Sequence, residues 1–330
     1  MTDKAFAVVG MGNAIVDVIS HVDDAFIARH GLDRGAMRLI DTDEAHRLYA
    51  SMPPGIEASG GSAANTCAGI ASFGAPVAYI GKVRDDQLGE VFAHDMRAAG
   101  VTYEVAPGDD GDPTARCLIV VTPDAQRTMS THLGIARYVA PADVDEALVA
   151  AAQLFYCEGY IWDVDLTKEA ILKGMDVARR AGGQVALALS DGFCVDRHRA
   201  EFLELVNDRV DVLFANETEI CSLYEVETFD EALRAVTGRC QVACLTRHEH
   251  GSVVVVGDDV HVIEAEPVDH VVDTTGAGDL YAAGFLYGHT AGLHPATSAR
   301  LGSLAAAEVI SHLGARPERP LSELAAPLFT

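Results

Sequence analysis

Basic residues are scarce in this chain: 24 Lys and Arg stand against 49 Asp and Glu in 330 residues, a formal net charge of −25. So acidic a surface repels nucleic-acid phosphates and anionic lipid heads, which argues against nucleic-acid or membrane-surface partners. No run of 18 or more uncharged apolar residues occurs, so no membrane-spanning helix is expected. The opening MTDKAFAVVGMGN shows no basic stretch followed by an apolar segment of signal length, and a cytoplasmic location is expected. The seven cysteines are odd in number, scattered and mostly set in apolar runs, as buried thiols of a reducing compartment would be. Cys240 and Cys244 lack a second Cys or His pair at zinc spacing and read as core thiols. No P-loop pattern is present. Gly10 and Gly12 follow an apolar run, but Ile15 stands where a dinucleotide fingerprint needs glycine, and NAIVDVISHV alternates like a strand. An anionic ligand would therefore depend on a local site of positive potential, such as one built from backbone N–H groups.

Hydrophobic residues at 49% and charged residues at 22% are ordinary for a globular chain of one large or two unequal domains. From residue 62 strand-like and helix-like segments alternate. SAANTCAGIASFG reads as a helix closed by Gly74, VAYIG as a strand and QLGEVFAHDMRAAG as a helix. Further helices are expected over 166–181, 197–207, 217–223, 277–291 and 295–312, with strands QLFYCEGY, QVALALS, DVLFAN, VACLT and GSVVVV between them. Such repetition implies a mainly parallel sheet with helices on both faces. Strand-like segments near 13–20, 34–41 and 101–131, joined in part by the turn stretches PGDDGDPT and TPDA, do not fit that layer and suggest a small β extension. Ligands of open α/β sheets sit beyond the C-terminal ends of the strands, where such an extension serves as a lid. The expected division is a large α/β part (about 1–12, 43–100 and 132–330) and a lid (about 13–42 and 101–131). ARPERPLSEL, 315–324, reads as a surface-hugging tail.

The most informative stretch is DTTGAGDLYAAGF, Asp273 to Phe285. Gly276 and Gly278 let the backbone turn sharply and come close to a ligand. The helix that follows has unpaired N–H groups and a positive dipole end, which together make an anion hole. Asp279, in its first turn, points at whatever fills that hole, and a carboxylate there suits acceptance of a proton from a hydroxyl attacking phosphorus. Taken alone, the stretch is equally a glycine-rich turn before an ordinary first-turn aspartate. A second stretch, SGGSAANTCAGIASFG (59–74), also sets paired glycines before a helix, and Gly60, Gly61, Ser62 and Asn65 offer groups suited to sugar hydroxyls.

With both stretches in this order, the chain resembles the ribokinase-like (PfkB) family of carbohydrate and nucleoside kinases along nearly its whole length. The resemblance implies a three-layer α/β/α fold with a mainly parallel central sheet, plus a small β-sheet lid. It implies ATP and Mg²⁺ as cofactors and a small-molecule sugar or nucleoside as substrate. Asp279 maps to the catalytic base, and Gly276, Ala277 and Gly278 to the anion hole. Asn216 and Glu219 of NETE fall near magnesium and the phosphates, with Glu219 acting through water. Asp17 of GNAIVD matches the acid that grips two sugar hydroxyls, a role that also suits the paired oxygens of a carboxylate. Arg127 resembles a lid arginine that contacts phosphate. Thr246 and Gly251 fall near ATP, with the adenine placed around Ala305 to Ile310. Asp273 and Thr275 fit a monovalent-cation loop, a possible K⁺ site. The residues of RHEH, 247–250, lack metal-binding spacing and read as a solvated turn.

GNAIVDV, the following F-x-x-x-x-GL and the G-x-M-x-L-D strand resemble the adenosine kinase branch. The implied reaction is phosphorylation of a ribose 5′-hydroxyl, adenosine to AMP, with a free sugar such as ribose or fructose as the alternative and a non-catalytic relative as a third reading. A purine would need an apolar slot, for which Ile15, Met37, Tyr160, Trp162 and Phe193 are candidates. Monomer and homodimer both remain open.

Overall fold

A computed structural model describes residues 4–109, 111–124 and 126–329. The two expected turn stretches each include a residue outside that set, Asp110 and Ala125.

The chain alternates between two sheets early on and then stays in one. β1 (Phe6–Met11) enters the larger sheet; β2 (Ile15–His21), α1 (Asp24–Arg29), β3 (Met37–Leu39), α2 (Thr42–Ser51) and β4 (Ile56–Gly60) build the lid. α3 (Ser62–Ser72), β5 (Val77–Ile80) and α4 (Gln87–Ala98) return to the larger body, and β6 (Ala115–Val121) and β7 (Arg127–His132) form a lid hairpin. Alternation then runs through α5 (Glu146–Ala150), β8 (Ala152–Glu158), α6 (Asp165–Arg180), β9 (Gln184–Ala188), α7 (Gly192–Asp208), β10 (Val212–Asn216), α8 (Glu217–Tyr224) and α9 (Phe229–Val236). The chain closes with β11 (Val242–Thr246), β12 (Ser252–Val256), β13 (Asp259–Ile263), α10 (Ala277–Thr290), α11 (Pro295–Val309) and α12 (Leu321–Ala325).

The larger sheet has eight strands in the order β13-β12-β11-β10-β9-β8-β1-β5. It is parallel from β5 to β11 and antiparallel at β12 and β13. Its central strands read as unbroken apolar runs because both faces are covered. On β8, Leu154 and Tyr156 join a core with residues of α3, α10 and α11, while Phe155 and Cys157 join one with residues of α6 to α9. The fold is thus α/β with helices on both faces and a second, five-stranded lid sheet, ordered β3-β7-β6-β2-β4. Among the described residues no helix is long and apolar enough to cross a membrane.

The lid differs from its expected makeup in two places. β4 pairs antiparallel with β2, although its residues lie in the segment assigned to the large part. The run VTYEVA is not a lid strand: Thr102 bridges Ala78 on β5, and Tyr103 packs beside Tyr79 and Phe92. Sheet membership is set by long-range pairing, to which local strand propensity is blind. The lid's outer face is covered by α1 and α2, where Phe26, Ile27, Ala45 and Leu48 pack on Val18, Leu118 and Val120. Its other face carries Ile15, Ile19, Cys117, Ile119, Val121 and Met129, a small apolar patch. The seven cysteines are all free thiols, as expected.

Candidate active site

The centre of the site is where the first turns of α3 and α10 meet. Gly276, just before α10, has φ +79°, and a Cβ there would fall 2.8 Å from the Cβ of Ala315. Glycine is required on both counts. Asp279, in the first turn, turns its carboxylate towards α3: Oδ1 accepts from Ser62 Oγ at 2.6 Å and Oδ2 from Asn65 Nδ2 at 2.9 Å. Its backbone carbonyl accepts from Thr66 Oγ1 at 3.1 Å. Burial pushes the Asp279 carboxyl above its ordinary value, while Ser62, Asn65 and Arg316 pull it back. The space above Gly278 is open, as an anion hole needs, whereas the Ala277 N–H donates to Thr274 O at 3.3 Å. Ser62 and Asn65, read from sequence as sugar ligands, thus have side-chain donors engaged with Asp279.

Asp17 belongs to the lid, on β2, opposite Ala58 of β4. Two positions along β4, Gly60 makes room for it: a Cβ there would stand 2.5 Å from Asp17 Oδ2. Burial is the main cause that lifts the Asp17 carboxyl to about 7; Arg127 and Arg316 lower it and Asp279 and Asp273 raise it further. Protein surrounds Asp17 and Asp279 on most sides yet leaves each partly accessible, as expected of acids lining a cleft. Gly61 precedes α3, and its carbonyl accepts from the Asn65 N–H at 2.8 Å.

Arg127, at the start of β7, reaches the loop before α10. Its Nη2 lies 2.9 Å from Asp273 Oδ2, and its Nη1 donates to Thr275 Oγ1 at 2.9 Å. Its Nε is buried without a hydrogen-bond partner among the described residues. The Asp273 carboxylate is fully engaged: Oδ1 accepts from the Thr275 N–H at 3.1 Å, and Oδ2 from the Gly314 N–H at 3.0 Å besides its contact with Arg127. At the loop read from sequence as a cation site, the Asp273 carboxylate thus carries an ion pair with Arg127 and two backbone N–H bonds.

Asn216 and Thr246 are register partners at the C-terminal ends of β10 and β11, the edge where ligands of parallel sheets sit. Asn216 caps α8 in a reciprocal box with Glu219, whose Oε2 accepts from the Asn216 N–H at 3.0 Å and Oε1 from Asn216 Nδ2 at 2.6 Å. Burial raises Glu219 to about 7, with Asp191 and Asp279 adding to it. With both oxygens occupied, Glu219 fits a hydrated Mg²⁺ through water, not as a direct ligand. Among the described residues no group of three or more His, Cys, Asp or Glu could hold a metal ion. Gly251 lies beyond the short turn His248–His250, and a Cβ there would collide with the carbonyl of Ile263. Over 305–310, Ala305 and Val309 are buried in the core, while Ala306, Ala307 and Ile310 are partly exposed.

Two functional candidates were missed. Glu158, at the end of β8, is 1% exposed and pins two ligand-edge amides: Oε1 accepts from Asn13 N at 2.9 Å and Oε2 from Ala63 N at 2.6 Å. Its signal was present, an acid ending an apolar parallel strand. Arg316, in the supposed surface tail, donates through Nε to Asn65 Oδ1 at 2.9 Å, and no motif announces it. Of the slot candidates, Ile15 is on the lid's apolar patch and Met37 pairs with Met129 beside it. Trp162 is buried in the core, its indole N–H bonded to Glu201, and the Tyr160 hydroxyl donates to Ser190 O. Phe193 is 77% exposed at the start of α7. A cavity of about 590 Å³ beside α4, lined by Arg84, Arg97 and Tyr103 among others, shares none of the site residues.

Residues 53–321 match the profile of the pfkB family of carbohydrate kinases. The chain superimposes on adenosine kinase from Sinorhizobium meliloti with a TM-score of 0.92 and 48% identity, covering 98% of this chain and 99% of that one. A probable sugar kinase protein from Rhizobium etli CFN 42 gives a TM-score of 0.93 and 46% identity, covering 99% of each chain. Among curated proteins, adenosine kinase of Saccharomyces cerevisiae is 29% identical over 328 residues, covering 92% of this chain and 94% of that protein.

The raised carboxyl of Asp17 has a measurable consequence. Between about 4 and about 7 the folded state holds a proton that the unfolded chain releases, so this group's contribution to stability falls as pH rises through that window and levels off above it. Asp17→Asn is expected to raise the melting temperature of the ligand-free protein at pH 8 and to do so by less at pH 5. A variant melting lower than wild type at both values would show that Asp17 is stabilised in its charged form.

Proposed function

The chain belongs to the pfkB family of carbohydrate kinases and is an ATP-dependent phosphotransferase, and on that premise we propose that it phosphorylates the 5′-hydroxyl of a ribonucleoside, adenosine to AMP. The observation that carries this reading is the setting of Asp17. Ile15 and Ile19 flank it on the same face of β2, and Cys117 is its register partner on β6. A carboxylate with two acceptor oxygens suits a vicinal diol, and the apolar patch beside it suits a base attached to the same ribose. The likeness to an adenosine kinase at 48% identity supports the same choice.

In this reading Asp17 orients the ribose while the lid excludes water. Asp279 accepts the proton of the 5′-hydroxyl as the phosphoryl group transfers in line. The loop Gly276, Ala277 and Gly278, with the positive end of α10, stabilises charge on the transferring oxygens. Mg²⁺, when bound with ATP, would neutralise phosphate charge, and Glu219 would hold it through water. Arg127 adds positive charge at the loop and ties the lid to it through Thr275 and Asp273. Ser62, Asn65 and Glu158 fix the geometry of α3 against α10. Gly60 leaves room for the Asp17 carboxyl that meets the ribose, Gly61 turns the chain into α3, and Thr246 and Gly251 border the nucleotide.

The second reading, a kinase of a free sugar, is favoured by the likeness to a probable sugar kinase at 46% identity. A coupled ADP-release assay with a panel of nucleosides and sugars separates the two. Adenosine is expected to give the highest kcat/KM, and preference for a free sugar would overturn the nucleoside reading. Asp279→Ala is expected to lower kcat by roughly 10²–10⁴ with little change in ATP binding; near-normal turnover would remove its assignment as base. Asp17→Asn should raise the KM of the acceptor more than it lowers kcat, and an unchanged KM would count against the diol role.

A further inference from the structure

The C-terminal segment read as a surface tail carries a guanidinium into the site. Its course is fixed on both sides of Arg316. Gly314 N–H donates to Asp273 at 3.0 Å, and Ala315 is buried where Gly276 leaves no room for a side chain. Downstream, Glu308 Oε1 accepts from the N–H groups of Glu318 and Arg319, each at 3.0 Å, and Leu321 N–H donates to Ser72 Oγ at 2.9 Å. Between these anchors Arg316 places Nε 2.9 Å from Asn65 Oδ1 and Nη2 3.3 Å from the Met96 sulfur.

Asn65 stands between a group that can only donate and one that, ionised, can only accept. A guanidinium has no acceptor and a carboxylate has no donor. The amide therefore has one satisfied orientation, Oδ1 to Arg316 and Nδ2 to Asp279. The reverse would set donor against donor and acceptor against acceptor.

We propose that Arg316 is a positioning residue for phosphoryl transfer, which fixes the Asn65 amide so that it donates to Asp279. The inference rests on the kinase reading for its activity measurements. Arg316 faces Asp279 together with Ser62 and Asn65 of α3, Asp17 of β2, Tyr156 and Glu158 of β8, Tyr160 after β8 and Glu219 of α8. Within this set it is the lone permanent cation acting on Asp279. Burial holds the Asp279 carboxyl above its ordinary value and Arg316 opposes that rise.

The test compares Arg316→Gln, Arg316→Lys, Asn65→Ala and the Asn65→Ala/Arg316→Gln double variant in the ADP-release assay. Arg316→Gln is expected to lower kcat by roughly 10–100-fold, since small misplacements of reacting groups cost up to about 10². The KM for ATP should stay within about twofold, and the acid limb of the kcat/KM profile should move to higher pH. Arg316→Lys restores the charge and should bring the acid limb back, while kcat stays reduced because the Nε geometry is lost. In the Asn65→Ala background, Arg316→Gln should add little, as groups acting in one chain are non-additive. Fully multiplicative losses, or an Arg316→Gln enzyme with wild-type kcat and profile, would overturn the proposal. If Arg316→Gln does not fold, Arg316→Lys decides, and wild-type kcat in that variant is the negative result. If the wild-type protein releases ADP with no compound, it is the kinase reading that has failed. Melting temperatures at pH 8 of Arg316→Gln, Asp279→Asn and their double variant then decide: non-additive shifts support the tie between the two residues, and additive shifts overturn it.

Discussion

The contact between the first turns of α3 and α10 is the constraint around which the site is arranged. Each helix brings the positive end of its dipole to the same place, and Asp279 is held there by Ser62 Oγ and Asn65 Nδ2. Removing a carboxylate from water is costly, and these two donors with the helix ends offset that cost. The neighbouring segments serve the same junction. Gly276 turns tightly enough for Ala315 to lie against it. Glu158 holds the start of α3 through Ala63 N–H and the end of β1 through Asn13 N–H. A shift of either helix would disturb Asp279 and the loop together.

Charge is placed with equal selectivity. A chain with a formal charge of −25 has few cations to distribute, yet two of its arginines enter the cleft from opposite directions. Arg127 comes from the lid and Arg316 from the C-terminal segment, and between them they face Asp17, Asp273 and Asp279. Arg127 also bonds directly to the loop that precedes α10, so the lid and the loop are mechanically joined.

The features most legible in the sequence were those whose cause is local. A glycine pair, a helix start and an acid in the first turn lie within a few residues of each other, and both such stretches fold as their spacing implies. The α/β alternation was legible for the same reason, although α1, β4, α5, α9, β13 and α12 went unread and helix ends moved by a few residues. Less legible was everything decided by pairing across the chain. β4 joins the lid because it pairs with β2, and Thr102 leaves it because Ala78 offers a closer partner. Trp162, an attractive slot residue from composition, is drawn into the core beside Phe202. Ser62 and Asn65 carry the right chemistry for a sugar, but their donors are turned to Asp279.

What the sequence by itself determined is the set of backbone turns and helix starts at Gly61 and Gly276, together with Asp279 set behind the second. These depend on φ, on the absence of Cβ and on unpaired amides, all properties of a few consecutive residues. The tertiary structure alone decided how those pieces are charged and aligned. Asn65 lies 214 residues from Asp279 and 251 from Arg316 along the chain, yet its amide joins the two. A hydrogen bond between groups so far apart leaves no trace in local composition. Its existence depends on the sheet, the two helices and the returning C-terminal segment all being in place at once.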